Sequence, residues 1–205
     1  MEQKKPARKK NVVLPSKFNT MSAPSLERAI QVLQQGGVIA YPTEAVYGLG
    51  CDPFNESAVL HVLELKKRSV SKGLIIIAAH WEQLQSYIQP IDNEKMINIL
   101  SSWSTPITWV FPAAKTVPSW IKGDHESVAV RITTHPIAHS LCEGFGRPIV
   151  STSANLKDQT PAKSAAEVKS QFPSGIDCII EGELGKLTKP TEIRDAITGK
   201  VLRGG

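Results

Sequence analysis

The stretch LELKKRSVSKGLIIIA, residues 63–78, places Lys66, Lys67, Arg68 and Lys72 within seven residues and runs straight into an apolar segment. The residues that lead into it, NESAVLHVLELKKR (55–68), have the spacing of a helix. Asn55 stands at the N-cap, and Val59, Val62 and Leu63 fall on one face. LIIIA (74–78) is an unbroken run rich in β-branched residues, the pattern of a buried strand. A helix delivered into a core strand through a short turn is the repeating step of an α/β protein. Charge runs are usually solvated faces. Four cations at the entrance to a core strand therefore raise the question of what they face.

The same alternation continues on both sides. SLERAIQVLQQGG (25–37) is expected to be a helix capped by Ser25 and stopped by Gly36, followed by a strand at VIAYPT (38–43). Helices are expected around 81–88 and 92–102. ITWVFP (107–112) and VAVRIT (128–133) read as strands, the second alternating Val128, Val130 and Ile132 with Ala129, Arg131 and Thr133. HPIAHSLCEGFG (135–146) has Pro136 in the first turn of a helix, and PIVSTSAN (148–155) is a strand entering a polar loop. A helix near 164–171 and strands near 177–180, 191–195 and 200–203 complete the pattern. No repeat or low-complexity linker interrupts residues 25–205. The expected fold is a single α/β (α+β) domain with a mixed sheet.

Composition narrows the class. Of 205 residues, 41% are hydrophobic and 21% charged, as in an ordinary globular protein. No apolar run approaches the roughly 18–20 residues that span a membrane. Cys51, Cys142 and Cys178 are far apart and odd in number, which argues against a disulfide framework or zinc site and points to a reducing cytosol. The net charge of +5 sits in residues 1–17, where six basic residues face one acidic residue. Residues 18–205 are balanced. Residues 1–20 are expected to be a basic flexible arm ahead of a domain at 21–205.

Nucleotide and metal motifs are mostly excluded. GELGKLT (182–188) lacks the glycine spacing of a P-loop, and no G-x-G-x-x-G is present. His135 and His139 are four apart but have no third ligand nearby, so structural or surface roles are expected. Three other segments carry chemistry. In YPTEAVYGLG (41–50) a strand ends at Pro42, and a glycine-containing turn would let backbone approach a ligand. KKRSVSKG (66–73) supplies cations. STSAN (151–155) sets three hydroxyls and an amide at a strand's carboxyl end, where α/β folds place ligands. Together they suggest a site for a small polar anion. Arg131 is a further candidate, aimed either at solvent or into a cleft.

These blocks, with Lys66-x-Arg68 followed by Lys72-Gly-Leu, VAVRITTHP (128–136), STSAN and the closing KPTEIRD…VLRGG, resemble the YrdC/TsaC family of threonylcarbamoyl-AMP synthases. The match runs from about residue 25 to the C-terminus in the manner of the short, single-domain members. The resemblance implies a twisted, mixed open sheet with flanking helices around a large concave cavity. It implies the conversion of L-threonine, bicarbonate and ATP (with Mg²⁺) to L-threonylcarbamoyladenylate and pyrophosphate in the cytoplasm. A separate transferase complex would then use the adenylate to modify adenosine 37 of tRNA. Carried over residue by residue, Lys66, Arg68, Ser153 and Asn155 become the catalytic and ATP-binding group, joined by Arg203. Thr43, Arg131, Ser151 and Thr191 become the L-threonine group, and the protein supplies no metal ligand. The chain departs from the family at Ser69, where proline is usual, at Ile77, where histidine is common, and at Ser104-Thr105. The alternative is a non-catalytic module binding double-stranded RNA or tRNA, which should spread basic residues over one face. The neutrality of residues 18–205 argues against it.

Overall fold

A computed structural model describes residues 23–205. The expected arm, residues 1–20, lies outside the described residues. Helix α1 spans Ala23–Gln34, so Ser25 falls inside the first turn and not at the N-cap as expected. The chain leaves α1 through Gly36, whose φ of 78° suits glycine. Strand β1 (Ile39–Pro42) then turns into β2 (Tyr47–Gly50), its antiparallel partner. The expectation of a mere turn across this region is corrected. Gly50 belongs in a strand here because an added Cβ would meet the Tyr41 ring and the Val150 carbonyl oxygen, each at 2.8 Å.

Helix α2 (Glu56–Leu65) is capped as expected, Asn55 Oδ1 accepting from the Ala58 N–H at 3.0 Å. Strand β3 is Ile75–Ala78. The helix expected at 81–88 is instead two 3₁₀ turns, Trp81–Gln83 and Gln85–Tyr87. Then come α3 (Asn93–Ser102), β4 (Thr108–Pro112), the short α4 (Ser119–Lys122), β5 (Ser127–Ile132), α5 (Pro136–Phe145) and β6 (Ile149–Ser153). Helix α6 (Ala165–Gln171) and strands β7 (Cys178–Ile179), β8 (Ile193–Asp195) and β9 (Val201–Arg203) complete the chain.

The strands form one mixed sheet in the order β7-β1-β2-β6-β3-β5-β4-β8-β9. Its two faces are covered differently. One packs Val59 and Val62 of α2, Ile99 of α3, Ile121 of α4 and Val168 of α6 against Ile76, Val130 and Val150. Among the described residues, the other is covered by α1 and α5, which bury Ile39, Tyr41, Ile77 and Ile149. Strand register shows which residues share that face. Ile149, Ile77 and Arg131 are neighbours across β6, β3 and β5, and the Trp109–Val130 pairing sets Thr108 opposite Arg131. The next row on the same face, Ser151, Ile75, Ala129 and Val110, lines a cavity. Among the described residues no helix is long and apolar enough to cross a membrane.

Candidate functional site

The basic turn that follows α2 is a complete helix stop. Arg68 N–H donates to Leu63 O and Lys67 N–H to Glu64 O, both at 2.9 Å, the two bonds of a Schellman motif. Lys67 occupies its left-handed position (φ 50°), where glycine is usual. That reversal separates the charges: Lys67 is exposed, whereas Lys66 is buried and Arg68 half-buried. Ser69 then caps the 3₁₀ turn Val70–Lys72 by accepting from the Ser71 N–H. Its φ of −61° is the value proline imposes, so the departure from the family at this position leaves the backbone path intact.

The Lys66 ammonium reaches β6 and the residues beyond it. It donates to the backbone oxygens of Ser153 and Asn155 and to Asn155 Oδ1. Ser153 Oγ donates to that same Oδ1 at 2.6 Å. Burial first, then the charge of Arg68, pulls the Lys66 amine down to about 8. Arg68 donates from Nη2 to Gly73 O at 3.0 Å, its Nε is buried without a partner, and burial lowers its pKa as well. Lys66, Arg68, Ser153 and Asn155, with Lys72 and Lys157, line a cavity of about 430 Å³.

Arg68, Lys72 and Ser153 also line a neighbouring cavity of about 450 Å³, which contains Thr43, Arg131, Ser151, Thr191 and Arg203. All nine residues singled out in the sequence thus border two adjoining spaces. Arg131, left open between solvent and cleft, is 6% exposed and turned into the cleft. Its Nη1 donates to Thr191 Oγ1 at 2.7 Å and Thr108 Oγ1 at 3.3 Å, and its Nη2 lies 3.5 Å from Glu44 Oε2. Arg203 donates to Thr191 O at 2.8 Å, and burial, then Arg131, lowers its pKa. Thr43 Oγ1 donates to Val46 O at 2.7 Å, closing the β1–β2 turn. Ile77 is fully buried beside Arg131 under α5, so the position where the family often has histidine is filled by core.

Sequence reasoning missed Glu44, Thr108 and Thr133. Glu44 is 4% exposed, and its Oε1 accepts from Thr133 Oγ1 at 2.7 Å and the Thr134 N–H at 3.1 Å. Burial alone would raise the Glu44 carboxyl. Arg131, Thr133 and backbone N–H groups outweigh it and hold the pKa below its ordinary value. The signal that could have found Glu44 is a lone acid inside an otherwise apolar hairpin, YPTEAVYGLG. His135 is structural, as expected, with Nε2 3.0 Å from Glu183 O. Among the described residues, no group of three or more His, Cys, Asp or Glu side chains is placed to hold a metal ion.

An open mixed sheet with flanking helices and a cavity rimmed by cations defines an α/β protein with a concave candidate site. The chain belongs to the Sua5/YciO/YrdC family, whose model, described as telomere recombination, matches residues 31–205. A threonylcarbamoyl-AMP synthase of Coxiella burnetii is 49% identical over 179 residues, covering 87% of this chain and 96% of the relative. P. abyssi Sua5, solved in complex with L-threonine, superposes with a TM-score of 0.78 at 35% identity. That match covers 83% of this chain and 50% of Sua5, so the chain spans half of that longer relative. E. coli YciO superposes with a TM-score of 0.73 at 28% identity, covering 87% of both chains.

Proposed function

We propose that this protein is a threonylcarbamoyl-AMP synthase. L-Threonine and bicarbonate condense to a carbamate with loss of water. A carbamate oxygen attacks the α-phosphorus of ATP, pyrophosphate leaves, and L-threonylcarbamoyladenylate is formed. The observation that carries this reading is the convergence of nine polar side chains from six separate segments on two adjoining cavities that share Arg68, Lys72 and Ser153. Two ligands that must react are best held in spaces that join. The relatives' name supports a catalyst over a non-catalytic RNA-binding module.

The division of labour follows from charge. ATP and the carbamate are both anions, and their repulsion is severe where water is excluded. Lys66, Arg68 and Arg203 offset it on the nucleotide side, with Ser153 and Asn155 as neutral partners. Mg²⁺ arrives on the phosphates as part of the substrate. Thr43, Arg131, Ser151 and Thr191 hold L-threonine, with Arg131 facing its carboxylate. The residues supply position and charge stabilisation in place of a strong base. The catalytic unit is the domain at 21–205, acting in the cytoplasm, and its adenylate passes to a tRNA-modifying transferase complex. The test is pyrophosphate release from ATP by the purified protein. Release is expected only when both L-threonine and bicarbonate are present. Release without threonine, or no release alongside tight RNA binding, overturns the reading.

A further inference from the structure

Arg131 is an unusual group to leave facing a substrate carboxylate, because a carboxylate already stands beside it. Glu44 Oε2 lies 3.5 Å from Arg131 Nη2, and both side chains are almost wholly buried. A buried ion pair gives little net stability over apolar residues of the same volume. Its cost in desolvation has a reason if the pair serves the site.

Glu44 is itself fixed from three directions. Thr133 and Thr134 of the β5–α5 connection donate to Oε1. The loop before β8 crosses its backbone, with Leu187 N–H donating to Glu44 O at 3.0 Å and Gly185 N–H to Thr43 O at 2.9 Å. Thr191, further along that loop, takes Arg131 Nη1. The guanidinium is therefore held at one nitrogen by a carboxylate and at another by hydroxyls, which fixes its plane. Glu44 Oε2 and Arg131 Nε are buried and make no hydrogen bond. The carboxylate thus meets the guanidinium through charge, and a direct role against a second carboxylate is excluded by sign.

We infer that Glu44 is a positioning residue for substrate recognition: it neutralises and orients Arg131 so that an amino-acid carboxylate docks in one geometry. The inference rests on the reading of Arg131 as the threonine-carboxylate partner. Glu44, which also borders the cavity, acts through Arg131. The substitution Glu44→Gln leaves one acceptor oxygen where the carboxylate has two, so either Arg131 or the Thr134 N–H loses its partner.

The test is a double-substitution cycle on threonine-dependent pyrophosphate release, using Glu44→Gln, Arg131→Gln and the two combined. Glu44→Gln should raise the threonine KM roughly tenfold while the ATP KM stays within about twofold, since a misplaced anchor degrades only the ligand it orients. In the Arg131→Gln background Glu44→Gln should bring no further rise in the threonine KM, because Glu44 has nothing left to position and its unpaired buried charge is removed. An unchanged threonine KM in Glu44→Gln overturns the inference. So does an equal rise in both KM values, or a further rise in the threonine KM when Glu44→Gln is added to Arg131→Gln. If Glu44→Gln does not fold, Thr133→Val removes one bond to Oε1 and should raise the threonine KM about threefold. No change in that variant overturns the inference as well. Wild-type release that ignores threonine instead refutes the function proposed above, a result separable from any of these.

Discussion

Lys66 and Arg131 are both buried cations at the same site, and they are compensated in different ways. Arg131 has a carboxylate, Glu44, within ion-pair distance and two hydroxyls on Nη1. Among the described residues, Lys66 has no carboxylate within ion-pair distance. Its ammonium is met by the backbone oxygens of Ser153 and Asn155 and by an amide oxygen, with Arg68 adding a like charge. Dipoles compensate a buried charge less than an opposite charge does. The Glu44–Arg131 pair is therefore neutral and preset, which suits a zwitterionic amino acid. The Lys66 end retains uncompensated positive charge, which suits a polyphosphate that brings its own negative charge.

The sharpest way to break this contrast is Arg68→Ala. Arg68 borders both cavities and is the group that most directly adds positive charge beside Lys66. Loss of one charge-stabilising donor in such a site costs on the order of 10²–10³ in kcat. The fold should persist, because the helix stop uses the Arg68 backbone and the side chain contributes one bond to Gly73 O. Pyrophosphate release and circular dichroism together measure this. Wild-type turnover in a folded variant would remove Arg68 from the reaction.

The second effect is a pH dependence carried by Lys66 alone. Its amine is pulled from an ordinary 10.5 to about 8, so between those values the folded protein has released a proton that the unfolded chain still binds. Stability from this group therefore rises as pH goes from about 8 to about 10.5, because the buried charge that opposed folding is lost. Activity moves the other way. With Lys66 neutral, kcat/KM for ATP should fall by about tenfold per pH unit above a break near 8. Lys66→Arg keeps the charge and should remove the break. A profile unaltered by that substitution would assign the break to another group.

How much of this was legible in the sequence depended on whether the cause was local. Helices α2, α3 and α5 and strands β3 to β6 announce themselves because side-chain period and caps such as Asn55 are local signals. Strand β2 did not, because Tyr-Gly-Leu-Gly has no side-chain alternation to show. Its Gly50 answers to Tyr41 and the Val150 carbonyl, packed against it by strand pairing. The nine candidate residues were singled out through ordered motifs rather than through pattern, which left Arg131 undecided between solvent and cleft. Glu44 escaped altogether. Its meaning comes from Arg131 and Thr133, some 90 residues away, and only the fold brings them together. The fate of the basic run was local after all: Lys67 takes the left-handed turn, and that directs Lys66 and Arg68 inward.

The smallest effect tests whether the two ends can be separated. At Gly185 an added Cβ would stand 2.7 Å from both Cα and the carbonyl oxygen of Glu44, which are backbone atoms that cannot swing aside. Gly185→Ala should therefore lift the loop off Thr43 and Glu44, weakening the Gly185–Thr43 and Leu187–Glu44 hydrogen bonds. Overpacking of this kind costs about 1–3 kcal/mol, readable as a lowered midpoint in urea. Because the same loop delivers Thr191 to Arg131, the threonine KM should rise by roughly threefold, the loss of about half of one net hydrogen bond. The ATP KM should rise less, since Lys66, Ser153 and Asn155 are tied to α2 and β6, and the nucleotide side meets this loop through Arg203, which donates to Thr191 O. A parallel rise in both constants would mean that the cavities deform as one body, and the contrast between a preset neutral end and a charged open end would then describe compensation alone and not independent binding.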